Sequence, residues 1–223
     1  MPDIENTVRR LSALDCCALS DALDSLQLTG AVTGLAQRSG AGRIAGVAVT
    51  FKVAPGDPPP GPPRHLGTAA IAASDGHSII VVEQRSGVEA GCWGGLLTRG
   101  ALAQGVRGVV ADGPVRDIDE ARALNFPIFT NRTTSFTARG RVVDQGTNLE
   151  IEVGSATVSQ GDFVVADNSA VIFIKPGDVD QVLAAAEAIA AREAAMVAAI
   201  EAGTPIGEVM SGTYEHMLSE PLK

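Results

Sequence analysis

Ser78-Ile-Ile-Val-Val-Glu83, Gly94-Gly-Leu-Leu-Thr-Arg-Gly-Ala-Leu-Ala-Gln104, Arg107-Gly-Val-Val-Ala111 and Asp112-Gly-Pro-Val-Arg-Asp117 follow one another in the middle of this chain. The first and third segments are continuously apolar, as strands buried on both faces are. The segment between them reads as a helix over 95–104. Asp117 to Leu124 reads as a second helix and Phe126 to Thr130 as a third strand. Buried strands alternating with short helices imply a parallel β-α-β-α-β core.

Outward from that core the pattern changes. Upstream, Gly46 to Val53 reads as a strand, and His65 to Ala73 as a helix after a proline-rich break over 55–63. Leu11, Leu14, Ala18, Ala22 and Leu26 recur at helical spacing, giving one N-terminal helix within residues 1–30 with Gly30 at its C-terminal stop. Downstream, short strands over 141–144, 149–153, 163–166 and 171–174 are punctuated by Gly146, Gly154 and Gly161, which suggests antiparallel hairpins. Asp178 to Ala202 reads as a long alanine-rich helix stopped by Gly203, within a helical extension over 178–223. The expected fold is therefore α/β: a mixed sheet or small barrel with a parallel core, antiparallel hairpins, and N- and C-terminal helices, in one domain over 1–223.

With 223 residues, 45% of them hydrophobic and 19% charged, the chain is large enough for one full core. Seventeen basic against 26 acidic residues give a formal charge of −9, which argues against direct binding to a nucleic-acid backbone. The start lacks a signal-peptide pattern, and the most apolar long stretch, 182–200, carries Glu187, Arg192 and Glu193, so a soluble cytoplasmic protein without a membrane span is expected. Three cysteines, two of them adjacent, set neither a disulfide framework nor a zinc spacing.

In open parallel sheets ligands sit beyond the carboxyl ends of strands. The loops over 84–94 and 112–116 are expected to face one pocket there. Free amides at Gly94, Gly95, Leu96 and Leu97 begin a helix and would suit an anion; the same glycines also read as a tight turn. Arg116 offers a planar fork for a carboxylate, and Asp117 an oxygen ligand for a hard divalent cation. On residue type alone, Asp117 with Glu120 three positions on is better read as a capping box. His65, His77 and Cys92 carry no triad, and Lys175 has no identifiable partner.

Gly94-Gly95-Leu-Leu followed by Val109-Val-Ala-Asp-Gly-Pro-Val-Arg-Asp117 resembles the RraA-like family. Ser20-Asp-Ala-Leu-Asp24, Gly42-Arg-Ile-Ala-Gly46, Phe126-Pro-Ile-Phe129 and Gly161-Asp-Phe-Val-Val-Ala-Asp167 extend the likeness over most of the chain. That family includes the regulator of ribonuclease E activity A, the class II 4-hydroxy-4-methyl-2-oxoglutarate aldolases, and proteins once labelled dimethylmenaquinone methyltransferases. The resemblance implies a swivelling-domain fold in trimers or hexamers, with Arg116 and the 94–97 backbone holding a pyruvyl carboxylate and Asp117 binding Mg²⁺ or Mn²⁺. It implies retro-aldol cleavage of a 4-hydroxy-2-oxo-dicarboxylate to pyruvate, with oxaloacetate decarboxylation at the same site. It also implies a glutamate from a neighbouring subunit acting near the metal through water, for which Glu193 is the candidate and Glu201 the second choice. In aldolase members an acidic residue precedes the Arg-Asp pair by a gap of twenty; here that position is Gly95, and Glu89, six residues earlier, is the candidate substitute. The alternatives are a non-catalytic regulator of an RNA-degrading enzyme, or an enzyme acting on another oxo-acid.

Overall fold

The computed structural model describes residues 3–61 and 65–210. Four strands form the parallel centre: β3 (Ile44–Ala54), β4 (Ser78–Glu83), β5 (Gly108–Val115) and β6 (Ile128–Thr133). Ile79, Ile80, Val81 and Val82 of β4 are fully buried on both faces, each contributing roughly 1.5–3 kcal/mol relative to exposure. Helices α3 (Thr68–Ala72), α4 (Gly95–Ala103) and α5 (Ile118–Ala123) make the connections.

Antiparallel strands extend both edges. β1 (Ala31–Val32), β2 (Ala36–Ser39), β10 (Phe163–Ala166) and β11 (Val171–Ile174) complete the order β1-β11-β10-β3-β4-β5-β6-β2, and β7 (Val143–Thr147) pairs with the far end of β3. β8 (Ile151–Val153) and β9 (Ala156–Val158) form a separate hairpin. The period-two alternation of strands divides the core into two sides of a curled sheet. Phe163, Val165, Ile172 and Ile174 face α1 (Ile4–Ala13), α2 (Cys16–Ser25) and α6 (Val179–Glu201). Farther along the same side, Val49, Phe51, Ile80, Val82, Val109 and Ile128 meet α3, α4 and α5. The intervening residues Ile79, Val81, Val110, Phe129, Val164 and Phe173 turn inward onto the β8–β9 hairpin. The result is a mixed α/β fold with a half-barrel sheet and terminal helices.

Several details differ from the sequence expectations. The N-terminal segment is two helices, because Asp15 accepts a hydrogen bond from the Ala18 amide and caps a new start just after Leu14 turns extended. Gly30 is no helix stop; its backbone lies against the Phe173 carbonyl at φ 148°, where a Cβ has no room. β5 runs on through Gly113 and Pro114 to Val115, with a register shift against β6 where Pro114 lacks its amide. Lys175 does have a partner, the buried Asp162 carboxylate at 2.7 Å. α6 ends at Glu201 with Gly203 at φ 94°, followed by α7 (Ile206–Val209). The rest of the extension expected over 178–223, and positions 62–64 of the proline-rich break, lie outside the described residues. Among the described residues no helix is long and apolar enough to cross a membrane.

Candidate functional site

Beyond β4 the chain folds back on itself, held by the Gln84 amide, which donates to the Val88 and Ala90 carbonyls. Residues 92–93 then run parallel to the end of β5: the Cys92 amide donates to Pro114 at 2.8 Å, Trp93 bridges Val115, and the Arg116 amide donates to Trp93 at 3.0 Å. This short ladder brings the glycine turn beside Arg116 and Asp117. Trp93 is buried, its indole N–H bonded to Thr98 Oγ1 at 2.9 Å, so it packs rather than presents a platform.

Gly91, Gly94 and Gly95 all have negative φ, so a tight left-handed turn does not account for them. Close approach does. A Cβ on Gly91 would stand 3.1 Å from Arg116 Cγ, and one on Gly94 would stand 2.9 Å from Asp117 Oδ2. At Gly95 a side chain would collide with Glu120 Oε2. Glu120 is held there by Arg99, whose Nε lies 2.6 Å from Oε1. Glu120 was readable in sequence only as part of a capping box; nothing in its spacing reveals that it stands where a side chain at position 95 would go. Glu89 does not reach this place and instead pairs with Arg132 at 3.9 Å.

The capping box is absent. Asp117 sits in the left-handed region at φ 59°, ψ 37° and makes no side-chain cap. Its Oδ2 accepts instead from the Gly95 amide at 2.9 Å, and Arg116 Nε lies 3.3 Å from the same oxygen. One of the four expected anion donors is thus already occupied. The Gly94, Leu96 and Leu97 amides find no acceptor among the described residues, while the Leu96 side chain is 82% exposed. Helix N-termini leave such donors free by construction.

Gly94, Gly95, Leu96, Leu97, Arg116 and Asp117 line one cavity of about 720 Å³. Thr137–Gly140 and Val142–Thr147 line it too, as do Pro58–Gly61, His65 and Leu66. His65 is brought to the cavity, with Nδ1 spent on the Leu66 carbonyl at 3.1 Å; His77 is not. Of the two loops expected to converge, 91–94 and 115–117 do so, whereas Gln84 and Asp112 point elsewhere. Burial pushes the Cys92 thiol up to about 12, so the nearby helix start does not activate it. Within one chain Glu193 faces Asp15 and Asp21; burial first, then these carboxylates, raise its pKa above the usual range.

The residues suit a hard divalent cation of modest demand. Asp117 is about one-third exposed toward the cavity and offers oxygen donors. Among the described residues no group of three His, Cys, Asp or Glu surrounds it. A cation there would rely on that carboxylate, water and ligand oxygens, which is the ordinary manner of Mg²⁺.

A family model described as RraA-like, Aldolase/RraA, matches residues 16–173, which span every wall of this cavity. A Halalkalibacterium halodurans protein named "Putative 4-hydroxy-4-methyl-2-oxoglutarate aldolase" is 31% identical over 179 residues, covering 79% of this chain and 80% of that protein. Protein DlpA of Legionella pneumophila is 27% identical over 201 residues; the match takes in 90% of this chain and only 32% of DlpA. A crystal structure of a protein from Pseudomonas syringae pv. tomato superposes with a TM-score of 0.84 at 27% identity, covering 94% of both chains.

Proposed function

The chain belongs to the RraA-like family, and from that premise we propose that it is a divalent-cation-dependent lyase. It cleaves a 4-hydroxy-2-oxo-dicarboxylate of the 4-hydroxy-4-methyl-2-oxoglutarate type to pyruvate, and decarboxylates oxaloacetate. The observation that carries this reading is the placement of Arg116 and Asp117 against three side-chain-free positions at a helix start, inside one cavity. The aldolase named among its relatives supports the substrate class.

In this mechanism Arg116 and the free Leu96 and Leu97 amides take the carboxylate of the oxo-acid, aligning its keto group beside Asp117. Asp117 would hold Mg²⁺ or Mn²⁺, which when bound supplies Lewis-acid stabilisation of charge developing on the keto oxygen. The Gly95 amide fixes the Asp117 carboxylate in advance, so its orientation costs little at the moment of reaction. Cleavage breaks the bond between C3 and C4. Its electron pair passes to the oxo-acid fragment, the C4 hydroxyl loses its proton as it becomes a carbonyl, and C3 gains a proton to give pyruvate.

The test is pyruvate release from 4-hydroxy-4-methyl-2-oxoglutarate and oxaloacetate with Mg²⁺ or Mn²⁺. Activity should vanish with EDTA and in Asp117→Ala; no pyruvate from either substrate overturns the reading. The same proposal includes a homotrimer or hexamer in which Glu193 of a neighbouring copy approaches Asp117. A monomeric mass in solution would remove that part.

Gly95 favours a second reading. The acid that the resemblance associates with cleavage is absent there, and the space is filled by the Arg99–Glu120 pair. A non-catalytic regulator of an RNA-degrading enzyme would be recognised by a stoichiometric nuclease in pull-downs, together with no metal binding by calorimetry.

A further inference from the structure

A single carboxylate is a weak hold on a hard divalent cation. Such an ion keeps several waters, and those waters need acceptors of their own. Around Asp117 most acceptors are spent. Asp117 Oδ2 already takes the Gly95 amide, and Arg116 Nε lies 3.3 Å from each of its oxygens. Asp144, which also lines the cavity, has its two oxygens occupied by the Gly67 and Gly146 amides. Asp119, on the same turn of α5, is 97% exposed and paired with Arg122 at 3.1 Å. Glu120 is the exception. Its Oε1 accepts from Arg99 Nε at 2.6 Å, while Oε2 accepts no hydrogen bond among the described residues.

The missing side chain at Gly95 defines where that oxygen stands. A Cβ there would collide with Glu120 Oε2 and lie 3.4 Å from Asp117 Cβ. Gly95 and Asp117 both line the cavity, so the space the glycine leaves is bordered by two carboxylates at its edge. One turn of α5 supplies both, because Asp117 at φ 59° turns back to the Gly95 amide instead of capping the helix. Glu120, left without a capping role, is drawn across to α4 by Arg99. That ion pair is well exposed, 59% and 37% at the two side chains, and contributes little to stability. Its effect is to fix the carboxylate. We propose that Glu120 is the second carboxylate of the cation site, accepting through Oε2 from water on a cation that Asp117 holds, with Arg99 orienting it. Glu120 is thus a positioning residue, acting from α5 in the space that a carboxylate at position 95 of α4 would fill. This rests on the lyase reading and removes the objection raised by Gly95.

The test titrates the full chain with Mn²⁺ alone by calorimetry and follows pyruvate release from oxaloacetate as a second readout. Glu120→Gln keeps the shape and an oxygen for Arg99, and is expected to weaken Mn²⁺ about tenfold or more, the usual cost of losing an outer partner of a metal site. Asp119→Asn removes the same charge from the same turn; screened by solvent, it should leave Mn²⁺ affinity within about twofold. The double variant Gly95→Asp with Glu120→Ala moves the carboxylate from α5 to α4. Its Mn²⁺ affinity should return to within about threefold of the unaltered protein, a non-additive rescue that a merely structural role would not give. Pyruvate release lost in Glu120→Gln should come back as Mn²⁺ is raised to saturation; a loss that persists overturns the positioning role. Full Mn²⁺ affinity in Glu120→Gln, equal weakening in Asp119→Asn, or a double variant no better than Glu120→Ala overturns the assignment and leaves the lyase reading standing. Failure of the unaltered protein to bind Mn²⁺ overturns both.

Discussion

Two pairs of charged residues stand at the carboxyl ends of the same strands and behave oppositely. Glu83 and Asp112 are register partners across β4 and β5, both buried, and both complete. Glu83 meets Lys52 at 2.7 Å and accepts from the Glu152 amide; Asp112 accepts from Asn131 Nδ2 and the Gly154 amide. Together they fasten the β8–β9 hairpin onto the inner side of the sheet. Arg116 and Asp117, a few residues farther on, lie on the helix-covered side with capacity to spare. Strand-end position therefore does not mark the site; unspent hydrogen-bonding capacity does.

That contrast is easiest to break with matched alanine variants. Asp117→Ala should lower pyruvate release by roughly 100-fold or more, the scale of lost transition-state charge stabilisation, with only a small change in thermal midpoint. Asp112→Ala should do the reverse. Leaving the Asn131 and Gly154 donors unsatisfied costs about 1–3 kcal/mol, or roughly 2–4 °C per kcal/mol for a chain of this size. If Asp112→Ala loses activity without losing stability, the assignment of roles is wrong.

A second pair of variants sharpens the boundary between the two regions. Gly95→Asp should destabilise by about 1–3 kcal/mol through overpacking against Glu120. Glu120→Ala should relieve most of that cost when combined with it, measured as a double-mutant cycle by denaturant unfolding. Additivity of the two changes would show that they do not share the space. At the opposite end of β4, Asp75 is a completed carboxylate like Asp112. Hydrogen bonds from the His77 amide and Ser78 hydroxyl hold its pKa below the usual range. Its stabilisation is full above the ordinary carboxylate pKa and is lost as pH falls through the lowered folded value. Asp75→Asn should flatten the acid limb of the stability curve; an unchanged limb would discount it. The smallest effect concerns thiols. Cys92 and Cys16 are buried with pKa values raised by burial, whereas Cys17 is exposed, so thiol reagents should modify only Cys17 in the native protein.

Continuous apolar runs made the core legible: Ser78–Glu83, Phe163–Ala166 and Val171–Ile174 are strands with the expected limits. The break at Asp15 was hidden because one polar residue between helical repeats reads as a solvent face. β1 and β2 are too short to carry a pattern and exist through pairing with β11 and β6. Pro114 lies beyond the strand read over 107–111, yet β5 passes through it where no amide is required. At the candidate site, Arg116, Asp117 and the glycine turn are close in sequence and could be read together. Arg139 and Thr147 could not, because their wall reaches the cavity only through the long-range pairing of β7 with β3. Glu120 was concealed by a spacing that serves equally for a helix cap.

The ladder that joins Trp93 to Val115 has a further consequence for how such a protein changes over generations. It anchors the reactive wall in the rigid centre of the sheet, where a substitution disturbs β4 and β5 together. The lining over 137–142 comes from the connection between β6 and β7, and exposed connections accept new residues and lengths far more readily. Selection can therefore rewrite which molecules enter without touching Arg116 and Asp117, so descendants of one ancestor would diverge in what they admit long before they diverge in those two residues.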